Sequence, residues 1–458
     1  MTKKDELLGT APMLPLIVKM ALPAVMAQLV NLLYGIIDKI YIGHIPEVGD
    51  TALAGVGVTT SVILLVAAFA SLVGGGGAPL AAIALGRGDR DEATKYLGNG
   101  FVMLLFFGVL CSVLGEVFAV PILNFGGASE VTMPYALEYV RIYLIGTVFV
   151  LIATGLNTFI NCQGRPGVAM VSVLIGAVLN TALDPLFIFG FDMGVAGAAV
   201  ATVISQAASA TFVLAFLFSK RATLRLSLRS MRPELRIIGM TCALGISPFV
   251  MASTESLVGF TLNSQLRLYG GDLHVGALTV MQSAMQIVSV PLAGFTNGVT
   301  PVLSYNYGHG RRDRVISAFK ITLGIMFTVN LVGVLVMILF PRAIGGLFNN
   351  ESPELLNLVA QYMPLFLAGM TIFGLQRACQ NVFIGLGQAK ISLFIALLRK
   401  VILLVPLAYI LPTFMGVSGV YAAEAISDAT AALICTAIFA VTFPRILSKM
   451  VKSDEINR

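Results

Sequence analysis

The sequence predicts an all-α integral membrane protein with twelve transmembrane helices, arranged as two parallel repeats of six. Hydrophobic residues make up 57% of the 458-residue chain and charged residues only 11%, whereas a soluble domain carries about 25% charge. Apolar runs of about 20 residues, enough to cross a hydrocarbon layer of ~30 Å, recur along nearly the whole chain. In addition, segments of the first half recur 222 residues later in the second.

The internal repeat is clearest in two pairs of segments. MGVAGAAVATVIS at 193–205 corresponds to MGVSGVYAAEAIS at 415–427, and PLAAIALGRGDR at 79–90 corresponds to PVLSYNYGHGRR at 301–312. Two membrane halves of the same orientation are related by an axis along the membrane normal, and rocking one against the other opens a cavity between them to either side. The duplication therefore favours a transporter.

Each half contributes six predicted spans. They are 14–42, 52–80, 94–122, 133–158, 166–190, 195–218, 237–264, 274–303, 315–341, 355–384, 390–412 and 417–443. The first follows a polar start and is too long for a cleaved signal, so we keep it as a span. We expect an N-terminal lobe at 1–218, a basic linker at 219–236 and a C-terminal lobe at 237–458.

The distribution of basic residues predicts the topology. Of the 29 lysines and arginines, 21 fall in the tails and in the loops that we place inside, whereas only Arg267 and Arg342 fall in the opposite loops. By the positive-inside rule both termini face the cytoplasm, as expected for a multi-pass protein of the cell membrane. The net charge of +6 follows from this bias and requires no nucleic-acid partner.

The sequence contains no pattern for an enzyme site or a bound cofactor. The five cysteines have no CxxC spacing, none of the three histidines lies deep in a predicted span, and there is no HExxH motif. A metal cluster or a nucleophile–base pair inside the membrane is therefore not expected. We predict no enzymatic activity and no cofactor.

Buried acids are the strongest functional signal, because charges inside the hydrocarbon usually face a cavity or a partner. At 1.5 Å per residue, Asp184 lies roughly 27 Å beyond the cytoplasmic start of the fifth span, in the outer half. Asp38 and Thr202 reach a similar depth on the first and sixth spans. Asn180 and Tyr34 each lie four residues before an acid, on the same helix face.

These five side chains form a candidate cation site. Their oxygens suit Na⁺, and two close carboxylates in an apolar interior also favour the retention of a shared proton. In the second repeat, Asp38 aligns with Asn263, Asp184 with Val405 and Thr202 with Glu424. Because the second copy lacks these carboxylates, a purely structural role in the shared fold is disfavoured.

The second half has its own buried charges. Glu255, Glu424 and Asp428 are candidate acids of the C-terminal lobe. Asp428 should reach the depth of Arg399 and Lys400, so either a structural ion pair or a substrate or gating role remains open. No partner is assigned to Arg377.

At these residues the chain resembles the multidrug and toxic compound extrusion (MATE) family, especially its bacterial and archaeal members of the MepA and DinF type. The resemblance covers the twelve spans, the P…GxG pattern in each repeat (Pro79, Gly86 and Gly88; Pro301, Gly308 and Gly310) and the segment LNTALDPLFIFG around Asp184. It implies a V-shaped pair of six-helix lobes, the MATE/MOP fold, which expels organic and often cationic compounds by antiport with inflowing Na⁺ or H⁺.

The resemblance also assigns residues. The family's N-lobe cation site corresponds here to Tyr34, Asp38, Asn180, Asp184 and Thr202. Glu255 matches an acidic position on the seventh helix of some members. The tenth-helix acid of those members is not evident, because that stretch reads FGLQRACQNVF and contains Arg377.

We expect an apolar substrate cavity with a few polar groups, since flexible methionine suits promiscuous binding. The candidate lining residues are Met26, Gln28, Asn157, Gln206, Met251, Met281, Gln282, Met285 and Gln286. Cation binding at Asp38 and Asp184 would bend the first helix near Pro23 and loosen the drug. The expected partners are small organic cations and membrane lipids, and the expected state is a monomer.

Two alternative functions compete with drug export. A lipid-linked saccharide flippase of the same superfamily would usually have extra spans and a strongly basic cavity; the twelve spans and buried acids oppose it, whereas Arg377, Arg399 and Lys400 keep it open. A membrane-embedded enzyme would need a metal cluster or a nucleophile–base set, for which no motif is present.

Overall fold

The computed structural model of the chain describes residues 7–348 and 352–456, and within these ranges it contains helices and no strands. Ten helices are individually long and apolar enough to cross a membrane, and the number is twelve if each of two bent helix pairs is one span. The predicted all-α membrane fold is confirmed. Lys3, Lys4 and Arg458, which we counted as cytoplasmic charges, lie outside the described residues.

The first half contains the helices α1 Leu7–Thr10, α2 Met13–Gly43, α3 Gly49–Gly86, α4 Arg90–Phe125, α5 Met133–Ile145, α6 Thr147–Cys162, α7 Pro166–Pro185 and α8 Gly194–Phe218. The second half contains α9 Leu235–Gly270, α10 Asp272–Gly308, α11 Arg312–Leu339, α12 Pro341–Gly346, α13 Pro353–Leu367, α14 Phe373–Gly385, α15 Ala389–Leu397, α16 Val405–Ile410, α17 Pro412–Met415 and α18 Val417–Ile456. Two π-helical segments interrupt this order, Leu186–Gly190 after α7 and Leu398–Leu404 after α15.

The two bends fall at equivalent places in the repeat. The axes of α5 and α6 differ by 59° at Gly146, and α13 is followed, at a bend of 44°, by a segment that begins at Gly369. A Cβ at Gly146 would approach Val203 to 2.5 Å, and one at Gly369 would overlap the Ala425 carbonyl. The chain therefore bends where glycine lets a neighbouring helix come close.

Each half has its own apolar core, and each core takes in residues from the other half. The first includes Val302 and Tyr305 of α10, and the second includes Ile17 and Ala21 of α2. The division into lobes at 218 and 237 stays a prediction, since these crossing residues link the two cores.

The halves meet backbone to backbone through glycine. A Cβ at Gly245 of α9 would overlap the Leu72 carbonyl oxygen of α3, and one at Gly308 of α10 would overlap the Ile83 carbonyl oxygen of α3. Small residues permit this approach in a membrane, where close packing stabilises helix contacts. The contacts lie toward the end of the molecule that carries loops 87–89 and 309–311.

The basic linker is attached to the first half by specific bonds. Asn99 accepts a hydrogen bond of 2.8 Å from the Glu234 amide at its Oδ1, and its Nδ2 donates to the carbonyls of Ser230 and Arg232. Lys95 forms an ion pair of 2.8 Å with Glu234. Because these bonds hold the end of the linker against α4, they fix the position at which α9 begins.

Candidate cation site and transport cavities

The predicted N-half residues converge on one buried cluster. Asn180 and Asp184 lie one turn apart on α7, and Asn180 Nδ2 donates to Asp184 Oδ1 at 3.1 Å. The same amide donates to Thr202 Oγ1 of α8 at 3.3 Å. Asp38 of α2 is also buried, with 8% exposure, and Asp184 has none. Three helices, α2, α7 and α8, thus supply the oxygens of the site.

Several acceptors in this cluster have no hydrogen-bond donor among the described residues. They are Asp38 Oδ1, Asn180 Oδ1 and Asp184 Oδ2. Buried acceptors without a partner are costly in an apolar medium. Three such oxygens in one cluster therefore fit a site that binds a cation or a proton during transport. Within the described part of the chain, no group of three or more His, Cys, Asp or Glu side chains could hold a metal ion. Two carboxylates with amide and hydroxyl oxygens fit a transiently bound monovalent ion.

Each half contains a cavity of about 610–630 Å³, and the N-half cavity adjoins the site. The N-half cavity is lined by Tyr34, Asp38 and Thr202. Asn180 and Asp184 lie outside its lining; Asn180 donates to Thr202, and Asp184 accepts from Asn180. Asp38 therefore borders the open cavity, whereas Asp184 is the more deeply buried of the two carboxylates. A third cavity of about 410 Å³ lies between the halves, where Pro79, Pro248 and Pro301 line it.

The N-half cavity also contains two tyrosines that the sequence reasoning missed. Tyr139 and Tyr143 of α5 line the cavity, and their rings stack with centroids 6.3 Å apart. Their signal was available, because they form an i, i+4 polar pair like that of Tyr34 and Asp38. They add phenol groups to the wall that faces the acids.

The chain departs from α-helical geometry directly after the buried acid. Pro185 follows Asp184 as the last residue of α7, and the π-helical segment Leu186–Gly190 comes directly after it. Proline supplies no backbone donor, which breaks the regular hydrogen-bond pattern, and π-segments are frequent at functional sites. The second π-segment contains Arg399 and Lys400.

The candidate substrate residues separate into three groups. Gln28, Asn157 and Gln206 line the N-half cavity, and Gln28, Met251, Gln282, Met285 and Gln286 line the C-half cavity. Met281 instead is fully buried in the second core, and Met26 is 44% exposed without lining a described cavity. A substrate-binding role for the set stays a prediction.

The C-half cavity contains a compact network of charges. Arg399 Nη1 lies 3.0 Å from Asp428 Oδ1, and Lys400 Nζ lies 3.6 Å from Glu424 Oε1. Glu255 Oε1 lies 3.8 Å from Arg399 and 3.6 Å from Lys400, so it bridges the two cations. The sequence predicted that Asp428 and Arg399 reach a similar depth, and in the structure they form a direct ion pair.

Asp428→Asn is expected to destabilise the protein by about 3 kcal/mol, because the buried Arg399 guanidinium would lose its best acceptor. The thermal midpoint of the purified protein in detergent measures this effect. Asp272→Asn is the matched control: Asp272 pairs with Arg267 at 3.1 Å, but both side chains are more than 70% exposed, so little change is expected. Equal midpoints for the two variants would contradict a structural contribution of the Asp428 pair.

Arg377 forms no ion pair with any described carboxylate. Its Nη1 donates to the Ser289 carbonyl at 3.3 Å and its Nη2 to Ser289 Oγ at 3.1 Å. The guanidinium carbon lies 5.0 Å from the centre of the Phe373 ring, which Arg399 approaches to 4.6 Å. The partner that the sequence left unassigned is therefore a serine and an aromatic ring.

Comparison with known proteins places this architecture in a class. The computed structure superimposes on an outward-facing multidrug resistance MATE family transporter of the MOP superfamily with a TM-score of 0.90, covering 97% of this chain and 99% of the other at 24% identity. A MATE crystal structure in the bent conformation gives a TM-score of 0.89 at 25% identity, over 98% and 99% of the two chains. A MOP superfamily transporter from Pyrococcus furiosus, whose binding pocket is described as having reverse polarity that suggests a different function, gives 0.89 at 24% identity over 97% and 99%.

Sequence relatives agree. The multidrug export protein MepA of Staphylococcus aureus strain MRSA252 is 23% identical over 435 residues, which covers 94% of this chain and 95% of that protein. MepA of Staphylococcus haemolyticus is 24% identical over 87% of each chain. The MatE family model matches twice, at residues 23–186 and 249–410, which agrees with the internal repeat.

The fold and its cavities define a multi-pass membrane transporter. Two matches to the family model, which together cover more than half of the 458 residues, show that the chain belongs to the MatE family. The predicted resemblance is confirmed, and these findings do not favour the flippase alternative.

Proposed function

We propose that this protein is a multidrug efflux antiporter, which exports organic and often cationic compounds in exchange for Na⁺ or H⁺. The observation that carries the proposal is the buried Asp38–Asp184 site, whose unpartnered oxygens lie beside a cavity large enough for a drug. The names of the MepA relatives, multidrug export proteins, support the same substrate class. The N-terminal lobe would bind the ion at Tyr34, Asp38, Asn180, Asp184 and Thr202.

Alternating access is proposed to couple the two ligands. Ion entry at Asp38 and Asp184 would neutralise the site and re-pack α2, which contains Pro23 and supplies the cavity residue Gln28. A ligand can shift a conformational equilibrium only as far as its affinities for the two states differ. The ion and the drug would therefore compete by favouring different conformations of the same cavity wall.

The lobes would rock about the glycine contacts between α3, α9 and α10. We place these contacts on the cytoplasmic side, together with both termini, because the segments 81–95 and 304–320 contain three and four lysines and arginines. Closure of this side would leave the cavities open to the exterior. The protein is proposed to act as a monomer surrounded by membrane lipids, with lobes at 1–218 and 237–458.

Efflux of ethidium from proteoliposomes tests the function. A pH gradient alone and a Na⁺ gradient alone are applied in turn, and we expect one of them to drive dye movement above that of protein-free liposomes. The effective gradient identifies the ion. No movement under either gradient would contradict ion-coupled drug export, and a lipid-linked sugar would then be the next substrate to assay.

A further inference from the structure

The charge network of the C-half cavity is formally neutral. It comprises three cations and three carboxylates: Arg377, Arg399, Lys400, Glu255, Glu424 and Asp428. Four of these groups form two ion pairs, Arg399–Asp428 and Lys400–Glu424, and are strongly buried, with side-chain exposures of 13% or less. Their charges therefore cancel within the two pairs, although Glu424 Oε2 accepts no hydrogen bond from the described residues.

All six groups line the cavity, and Glu255 and Arg377 are the two that stand outside the Arg399–Asp428 and Lys400–Glu424 pairs. The Glu255 side chain is 51% exposed although it contacts Arg399 and Lys400. The Arg377 side chain lines the cavity and has no carboxylate partner among the described residues. A free carboxylate edge and a free guanidinium edge are therefore both presented to one ligand space.

Arg377 is also held in a defined position. Its two hydrogen bonds to Ser289 use one nitrogen each, and the Phe373 ring lies beside its plane. The remaining N–H donors are not used by the described residues. A positioned guanidinium recognises a carboxylate through parallel hydrogen bonds, which a lysine cannot reproduce.

We propose that the C-half cavity binds zwitterionic organic compounds, with the carboxylate of the ligand on Arg377 and its cationic group near Glu255. A neutral network in a low-dielectric cavity favours a ligand whose own charges cancel, because a lone cation would leave a charge without a counterion. Gln282, Gln286 and Met285 supply amides and an adaptable apolar wall around the body of the ligand. The inference deepens the proposed drug export and rests on it for the direction of transport.

Tetramethylrhodamine and its methyl ester provide the test. The two dyes share one cationic ring system, and only the first also has a free carboxylate. Binding to the purified full-length protein in detergent is measured by fluorescence polarisation. Arg377→Gln is expected to weaken tetramethylrhodamine binding about tenfold, the size of a lost charged hydrogen bond, and to change binding of the ester by less than about twofold.

Three further variants sharpen the result. Arg377→Lys keeps the charge but loses the paired donors, so an intermediate loss for tetramethylrhodamine alone is expected. Glu255→Gln should weaken both dyes alike, because both are cationic at the ring system. Arg267→Gln, which removes an exposed arginine at the end of α9, is the control and should change neither.

Equal weakening of both dyes by Arg377→Gln would overturn the proposal, because it would mean that Arg377 only supports the cavity wall. No change with either dye would overturn it as well. Retained binding of the ester shows that the variant is folded. The binding assay needs no ion gradient, so a failure of ethidium efflux in proteoliposomes would contradict coupled export without affecting this result.

Discussion

Asp184→Asn is expected to abolish ion-driven efflux of ethidium, to the level of protein-free liposomes. Asp184 is fully buried, its Oδ1 accepts from Asn180, and its Oδ2 has no donor among the described residues. Asparagine has nearly the same shape but is neutral, binds no proton, and replaces one acceptor with a donor. The variant would keep the packing of α7 while losing the group whose charge the ion must meet. The measurement is the initial rate of dye efflux under whichever gradient drives the unaltered protein.

Asp192→Asn is the matched control for this change. Asp192 follows the π-segment on an exposed stretch, and its backbone has a φ of 55°. Asparagine tolerates that left-handed conformation well, so wild-type efflux is expected. Binding of the rhodamine ester should persist in both variants. An Asp184→Asn protein that pumps at the wild-type rate would eliminate the N-half ion site, whichever ion is used.

Gly245→Leu is expected to stop transport by a different route. A side chain there would overlap the Leu72 carbonyl of α3. The overlap is with backbone, which cannot move aside as a flexible side chain can. The halves would then be unable to close at this end, and the cavities would stay open to that side. A transporter that cannot close one side cannot complete a cycle. Efflux should fall to background although the protein inserts and folds.

The separation of the halves is measured with a cysteine in place of Thr241, a residue of α9 that is buried against α3. In a background without native cysteines, Thr241→Cys should react slowly with a membrane-impermeant maleimide and faster when Gly245→Leu is added. Gly239→Leu is the control, because it lies on the same helix and has open space around it. Slow labelling together with wild-type efflux in Gly245→Leu would contradict the role of this contact in closure.

The sequence predicted more of the N-half ion site than of the C-half charge network. Asp38, Asp184 and Thr202 were predicted to share a depth, and Asn180 was predicted to lie on the same helix face as Asp184, to which it donates a hydrogen bond of 3.1 Å. Helical periodicity and a rise of 1.5 Å per residue are local properties, so depth along a span can be counted from the sequence. Tyr139 and Tyr143 follow the same periodicity and were missed because neither lies four residues from a buried acid.

Contacts between different spans were harder to predict from the sequence. Depth suggested that Asp428 meets Arg399, but the bridging position of Glu255 and the seat of Arg377 on Ser289 depend on how the helices are rotated about their axes. Met281 illustrates the same limit: it was expected in a cavity and lies in the core. Rotation is set by packing against neighbouring helices, which hydrophobicity alone does not specify because the lipid-facing side is apolar too.

The sequence by itself determined the class of the fold, the series of ten to twelve apolar spans and the duplication. Each of these follows from composition, from span length or from repetition along the chain. Only the tertiary structure decided which oxygens lack a partner, how the cavities divide between the halves, and that Gly245 and Gly308 meet the α3 backbone. These features depend on separations of a few ångströms between helices that are distant in sequence, and such separations arise only when whole surfaces pack.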